Sequence, residues 1–126
     1  MTRNAELAYQ VLDHILAHPE MHDQGDWFRR TECGTVACFA GWATLLSGLS
    51  FAPGSIIVEH APDHLLRLRE MSVGRAAARL LGLPDPHWTA TEDGNEADDL
   101  FHPGNDREDL AERVEKYFGP RPVATS

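Results

Sequence analysis

The stretch VACFAGWATLLS, residues 36–47, is apolar on every side of any helix drawn through it. Val36, Phe39, Trp42, Leu45 and Leu46 alternate with Ala37, Ala40, Gly41 and Ala43. A helix without a polar face belongs at the centre of a water-soluble fold. The run is also broken by Gly, Thr and Ser, and it falls short of the about 20 apolar residues that span a bilayer. The rest of a 126-residue chain must therefore wrap around it, and that length suffices for one core. The small residues lower helix propensity, most at Gly41, so their use here points to close approach by neighbouring elements. Thr35 is the natural cap of this helix and Gly48 its stop.

Other helices are written around it. Asn4 can cap a first helix ending near Ala17, before Pro19, with Leu7, Ala8, Val11, Leu12, Ile15 and Leu16 as an apolar stripe. The irregular connection that follows carries Trp27 and Phe28 as anchors to the core. LSFAPGSIIVEH, residues 49–60, reads as a hairpin, with Pro53-Gly54 suited to a type II turn and Ile56, Ile57 and Val58 favouring strand. Pro62 starts a helical turn or two over DHLLRLREM. Ser72 caps the next helix, which Gly82 ends. EADDLFH gives a short helix, and Asn105 with Glu108 makes a start resembling a capping box for a last helix over 106–118. The stripe of that helix is Leu110, Val114, Tyr117 and Phe118, and Gly119-Pro120 ends it. The expected architecture is thus mainly α: a compact single-domain helical fold over residues 1–119, around a central apolar helix, with a small β-hairpin. Residues 120–126 are expected to form a loose C-terminal tail.

Charge narrows the partners. The formal net charge of −9 argues against a general phosphate binder and against duplex DNA, because such affinity comes from Lys and Arg neutralising phosphates. AAARLLGLPDPHW resembles a helix-turn-helix with Leu81-Gly82-Leu83 at the turn, yet PDPHWTATEDG after the turn offers no Arg or Lys to phosphates or guanine edges. Arg67, Arg69, Arg75 and Arg79 precede the turn as a local basic cluster, suited to an acidic partner or to covering apolar surface with their stems. The acidic stretch from Thr91 to Glu112 fails as an EF-hand because its glycine is misplaced, and interleaved Arg107, Arg113 and Lys116 mark a solvated face rather than a DNA mimic. MTRNAELAYQVLDHI carries Glu6 and Asp13 and does not read as a signal peptide. A cytoplasmic location and no membrane partner are expected.

Both cysteines, Cys33 and Cys38, fall at the entrance to the apolar run. Four readings compete. As a nucleophile, Cys38 in the first helical turn would have its thiolate favoured by the helix dipole. ECGTVAC also resembles the Cys-Gly start of papain-like peptidases, and on that analogy Cys33 attacks; His60, His64, His87 and His102 are the available bases. As a metal clip, Cys33, Cys38, His60 and His64 give C-x4-C-x21-H-x3-H, enough for tetrahedral zinc, although Pro62 lies between the histidines. A disulfide needs Cα atoms within ~7 Å and an oxidising compartment. The fourth reading, packing as small hydrophobes, leads: both thiols are expected to be structural and reduced, with no cofactor bound. On it, Cys38→Ser is expected to cost at least as much stability as Cys38→Ala, because a buried hydroxyl needs a partner. His14, His18 and His22 step by four, but Pro19 breaks the helix before His22, so a solvated surface is expected there instead of a metal face.

CGTVACFAGWATLLSG, AAARLLGL and LFHPGNDREDL together resemble a family of small uncharacterised proteins of actinobacteria and their phages that share a Cys-Gly-Thr-x-x-Cys-x-Ala-Gly block. The resemblance covers most of the chain beyond the first helix. It implies a compact, mostly helical accessory protein and assigns no catalytic residue. The function expected is therefore a non-enzymatic cytoplasmic interaction protein, phage-encoded, that binds another macromolecule, a protein. The alternative is a thiol-dependent hydrolase using Cys33 or Cys38, or a zinc-stabilised binding module.

Overall fold

Asn4 begins the first helix as read: its Oδ1 accepts from the Leu7 amide at 3.1 Å, and α1 runs Ala5–Ala17. The computed structural model describes residues 3–22, 29–31, 34–50, 57–84, 96–102 and 104–121, and among them the chain is mainly helical. After α1 come a 3₁₀ turn, Pro19–Met21, and the short strands β1, Arg29–Thr31, and β2, Gly34–Val36. The helix α2, Phe39–Leu46, follows, then a second 3₁₀ segment, Asp63–Leu68. The chain closes with α3, Val73–Leu81, α4, Glu96–Leu100, and α5, Arg107–Phe118.

The apolar run is central, as its composition demands. Phe39, Ala40, Gly41, Trp42, Ala43 and Thr44 are all buried. α2 packs between α3 and α1, and α5 lies on α1 with α4 against it. The Ala76-Ala77-Ala78 face of α3 is fully buried, so alanines on both helices let their backbones come close. The one polar side chain inside α2 is satisfied locally, Thr44 Oγ1 donating to the Gly41 carbonyl at 2.7 Å. A second cluster of Leu49, Val58, Leu65, Leu68, Val73 and Ala76 fills the space under the second 3₁₀ segment.

Four sequence expectations need correction. First, α2 starts at Phe39, not Val36. Thr35 and Val36 pair instead with Arg30 and Arg29 in an antiparallel ladder, where β-branched residues pack well. The cap is Cys38, in extended backbone, whose Sγ accepts from the Gly41 amide at 3.4 Å. Second, among the described residues the segment 49–60 forms no strand. Ser50 and His60 meet at an isolated bridge, and Val58 turns its backbone to residues 70 and 71: its amide donates to Met71 at 2.8 Å and its carbonyl accepts from Glu70 at 2.9 Å. Third, α5 is capped one residue later than read. Asp106 and Asp109 form the reciprocal box, at 2.8 and 3.2 Å, in place of Asn105 and Glu108. Fourth, Leu16 is not in the core stripe of α1; it is 48 % exposed.

The remaining helix signals hold. Ser72 Oγ accepts from the Arg75 amide at 3.3 Å, and Gly82 ends α3 at φ 75°, a left-handed conformation that a side chain resists. Trp27, Phe28, the Pro53-Gly54 turn, Ile56, His87 and residues 122–126 lie outside the described residues.

Candidate functional site

Asn4 does more than cap α1. Its amide donates to the Leu81 carbonyl at 2.9 Å and its Nδ2 to the Leu80 carbonyl at 3.2 Å, so the first turn of α1 is tied to the last turn of α3. Ser47 ends α2 nearby, its hydroxyl donating to the Ala43 carbonyl at 2.8 Å. The second 3₁₀ segment lies across this opening, held through Leu65 and Leu68 in the second apolar cluster. Between these four pieces lies an open groove of about 380 Å³. Its floor is leucine: Leu7 and Leu65 buried, Leu46 and Leu80 half-buried. Its rim carries Asn4, Glu6, Gln10 and His64, all exposed. This combination of apolar floor and a few polar groups is the usual make-up of a binding site. Beyond the groove the 3₁₀ segment presents Leu66, 52 % exposed, with Arg67 and Arg69 exposed beside it.

A second opening of about 490 Å³ lies between α1 and α5, lined by Leu16, Asp106, Arg107, Glu108 and Ala111. Its lining is mostly charged and its leucine stands at the edge, so it offers less to an apolar group than the first.

A cluster of interacting titratable residues sits elsewhere. Tyr117 on α5 donates its hydroxyl to Asp99 Oδ2 on α4, and Arg113 Nε donates to Asp99 Oδ1 at 3.1 Å. Asn105, itself buried, donates from Nδ2 to the Asp99 and Leu100 carbonyls at 2.7 and 3.1 Å and so closes the end of α4. Burial, then the hydrogen bond to Asp99, pushes the Tyr117 hydroxyl up to about 12. Burial would raise Asp99 as well, but the hydrogen bonds from Tyr117 and Arg113 and the charges of Arg113 and Lys116 outweigh it and hold the carboxyl below its ordinary value. Perturbed groups often mark active sites. Here each partner satisfies another, and the cluster serves to fasten α4 to α5.

The cysteine and histidine candidates are dispersed. Cys38 is 2 % exposed, inside the core beside Phe39 and Trp42. His60 lies on the backbone bridge to Ser50, and His64 on the rim of the groove, both exposed. Among the described residues no three His, Cys, Asp or Glu side chains stand as a metal-holding group, so Cys38, His60 and His64 do not come together. Cys33 lies outside the described residues. The histidine series along α1 departs from expectation at His14, which is half-buried, its ring packing 4.3 Å from that of Trp42, while His18 is exposed as expected.

The cap reverses the expected order of two substitutions. A serine hydroxyl at position 38 can accept from the Gly41 amide as the thiol does, and serine is among the best N-caps. Cys38→Ala is therefore expected to cost ~1–2 kcal/mol through the lost cap and lost packing, and Cys38→Ser less. Urea midpoints measure both. Iodoacetamide should reach the buried Cys38 sulfur slowly at neutral pH, and alkylation of Cys38 at the rate of a small-molecule thiol would contradict its placement in the core.

Sequence reasoning missed the groove entirely. It is assembled from positions 4 to 80, and the one local signal at its edge, Asn4, reads only as a cap. Comparison with family models, with curated proteins and with solved structures gives no match for this chain. No helix among the described residues is long and apolar enough to cross a membrane.

Proposed function

We propose that this chain is a small non-enzymatic interaction protein of the cytoplasm, phage-encoded on its resemblance to the Cys-Gly-Thr-x-x-Cys-x-Ala-Gly family, and that its partner is another protein. The partner seats an apolar side chain on the leucine floor between α1 and α3. The observation that carries this reading is that open floor, with Leu66, Arg67 and Arg69 exposed on the segment beside it. An apolar anchor in a pocket with a polar surround is the arrangement that concentrates binding energy in protein interfaces. The rim amides of Asn4 and Gln10 can orient such a partner by hydrogen bonds. Duplex DNA fits poorly, since a net charge of −9 repels phosphates.

The test is co-purification from an actinobacterial lysate, with Gln10→Trp as the control. Gln10 is exposed on α1 at the groove, so the larger ring blocks the opening without touching the core. Wild type is expected to retain a protein that the variant loses at least about tenfold, the loss of one good anchor. Equal recovery by both would remove the groove as the site. Micromolar or tighter binding to duplex DNA at physiological salt would favour a nucleic-acid partner instead.

A further inference from the structure

The last turn of α1 carries a histidine that the groove does not use. The His14 ring stands 4.3 Å from the Trp42 ring, tilted by 57°, and 4.9 Å from the His18 ring. Its Nε2 is sealed from solvent and has no hydrogen-bond partner among the described residues. The Trp42 indole donates from Nε1 to the Met21 carbonyl at 2.9 Å, and the Ala37 amide donates to the same oxygen at 3.1 Å. His14 therefore packs against a joint at which the end of α1, the Pro19–Met21 turn and the entry to α2 meet.

The charges around it do not favour an imidazolium. α2 brings no ionisable side chain over Phe39–Leu46. On α1, Asp13 is engaged by Arg121 at 2.6 Å, and His18 adds a like charge when protonated. Glu20 of the 3₁₀ turn stands 3.7 Å from His18 Nδ1, and His22 pairs through its backbone with Ala37. On α5, Arg107 and Glu108 lie beside Leu16, and Glu115 acts on Tyr9.

We propose that the His14–Trp42 contact is an acid-sensitive latch, which holds the Pro19–Met21 turn against α2 while His14 is neutral and releases it when His14 takes a proton. A neutral imidazole has one N–H and one bare nitrogen; the imidazolium has two N–H groups. The second one, at Nε2, would be buried with no acceptor among the described residues, which is costly. Attraction between the cation and the Trp42 face opposes release but supplies no acceptor. Burial, then the charge of His18, pushes His14 below its ordinary value of 6.5. With the folded value lowered, the stability of the joint is complete above 6.5 and is lost as pH falls through the folded value. Across that window the opened joint binds one more proton than the closed one, so opening grows by up to about tenfold per pH unit.

Hydrogen exchange at the Ala37 amide and the Trp42 indole, corrected for the intrinsic pH dependence of exchange, reads the joint directly. Below pH 6.5, protection there should fall by up to about tenfold per unit while the buried amides of α3 keep theirs. The midpoint should follow the His14 ring titration, read by NMR in the same sample. His14→Gln should remove the pH dependence. His18→Gln, at an exposed position, should keep it and move the midpoint upward, because the like charge is gone. The proposal is overturned if His14 titrates at or above 6.5, if protection at Ala37 and Trp42 stays flat, or if the dependence survives His14→Gln. Should His14→Gln not fold, the wild-type and His18→Gln measurements decide the matter alone.

Discussion

Trp42→Ala is expected to lower the stability of the fold by ~3–5 kcal/mol, the range for removing a large aromatic from a core. Trp42 is 7 % exposed, and α2 around it carries Phe39, Ala40 and Ala43 with no exposure at all. Small neighbours cannot collapse into the space an indole leaves, so the cavity persists. The substitution also removes the donor to the Met21 carbonyl and the surface on which His14 packs. Both losses act at the junction of α1 with α2, and they place the effect at the upper end of the range. A chemical denaturation midpoint close to that of the wild type, with an unchanged slope, would show α2 to be peripheral.

Asp99→Ala is expected to cost ~2–3 kcal/mol, since it removes the carboxylate to which both Arg113 Nε and the Tyr117 hydroxyl donate, leaving Tyr117 without that acceptor and Arg113 with Asp109 alone among the described residues, and hydrogen bonds to a charged group are worth more than neutral ones. The figure stays below that for a fully buried pair because Asp99 and Arg113 keep 31 and 27 % of their side-chain surface in water. The same cluster sets the pH limits of the α4–α5 contact. Asp99 lies below its ordinary value of 3.8 in the folded chain, so its contribution is present above 3.8 and is lost as acid takes the pH through the folded value. Tyr117 is raised from 10.0 to about 12, so its contribution is present below 10.0 and is lost as pH climbs toward 12. Asp99→Asn should flatten the acid limb and Tyr117→Phe the alkaline limb of a stability profile. Limbs unchanged in both variants would mean that the cluster does not hold α4. The acid limb of Asp99 lies well below 6.5, where loss of the His14 latch begins, so the two effects separate on one pH scale.

The helices that the sequence foretold best are those whose caps are ordinary. Asn4, Ser72 and Gly82 each do what their residue type does elsewhere, and α1 and α3 begin or end beside them. The start of α2 was illegible for two reasons. Val36 is as suitable for a strand as for an apolar helix, and its ladder partner Arg29 is fixed only by tertiary pairing. A thiol is also a rare cap, so Cys38 gave no signal of that role. At α5 two candidate capping pairs with the same spacing are offset by one residue, and geometry alone selects Asp106 with Asp109 over Asn105 with Glu108. Asn105 is instead drawn inside to close α4. Side-chain meetings across the fold left no periodic trace: Asp99 reads as one acid among many, and Tyr117 as plain core. His14 sits where a helix stripe gives way to its polar side, and only the tertiary packing of Trp42 against it decides that its ring is covered.

A photo-crosslinking residue in place of Gln10 interrogates the groove between α1 and α3 in the cell. Irradiation in an actinobacterial host should join the chain to one dominant protein. The same reagent in place of Glu112, exposed on α5, should capture none. Capture from position 112 but not from position 10, or no protein captured from either, would contradict a protein partner seated on the leucine floor.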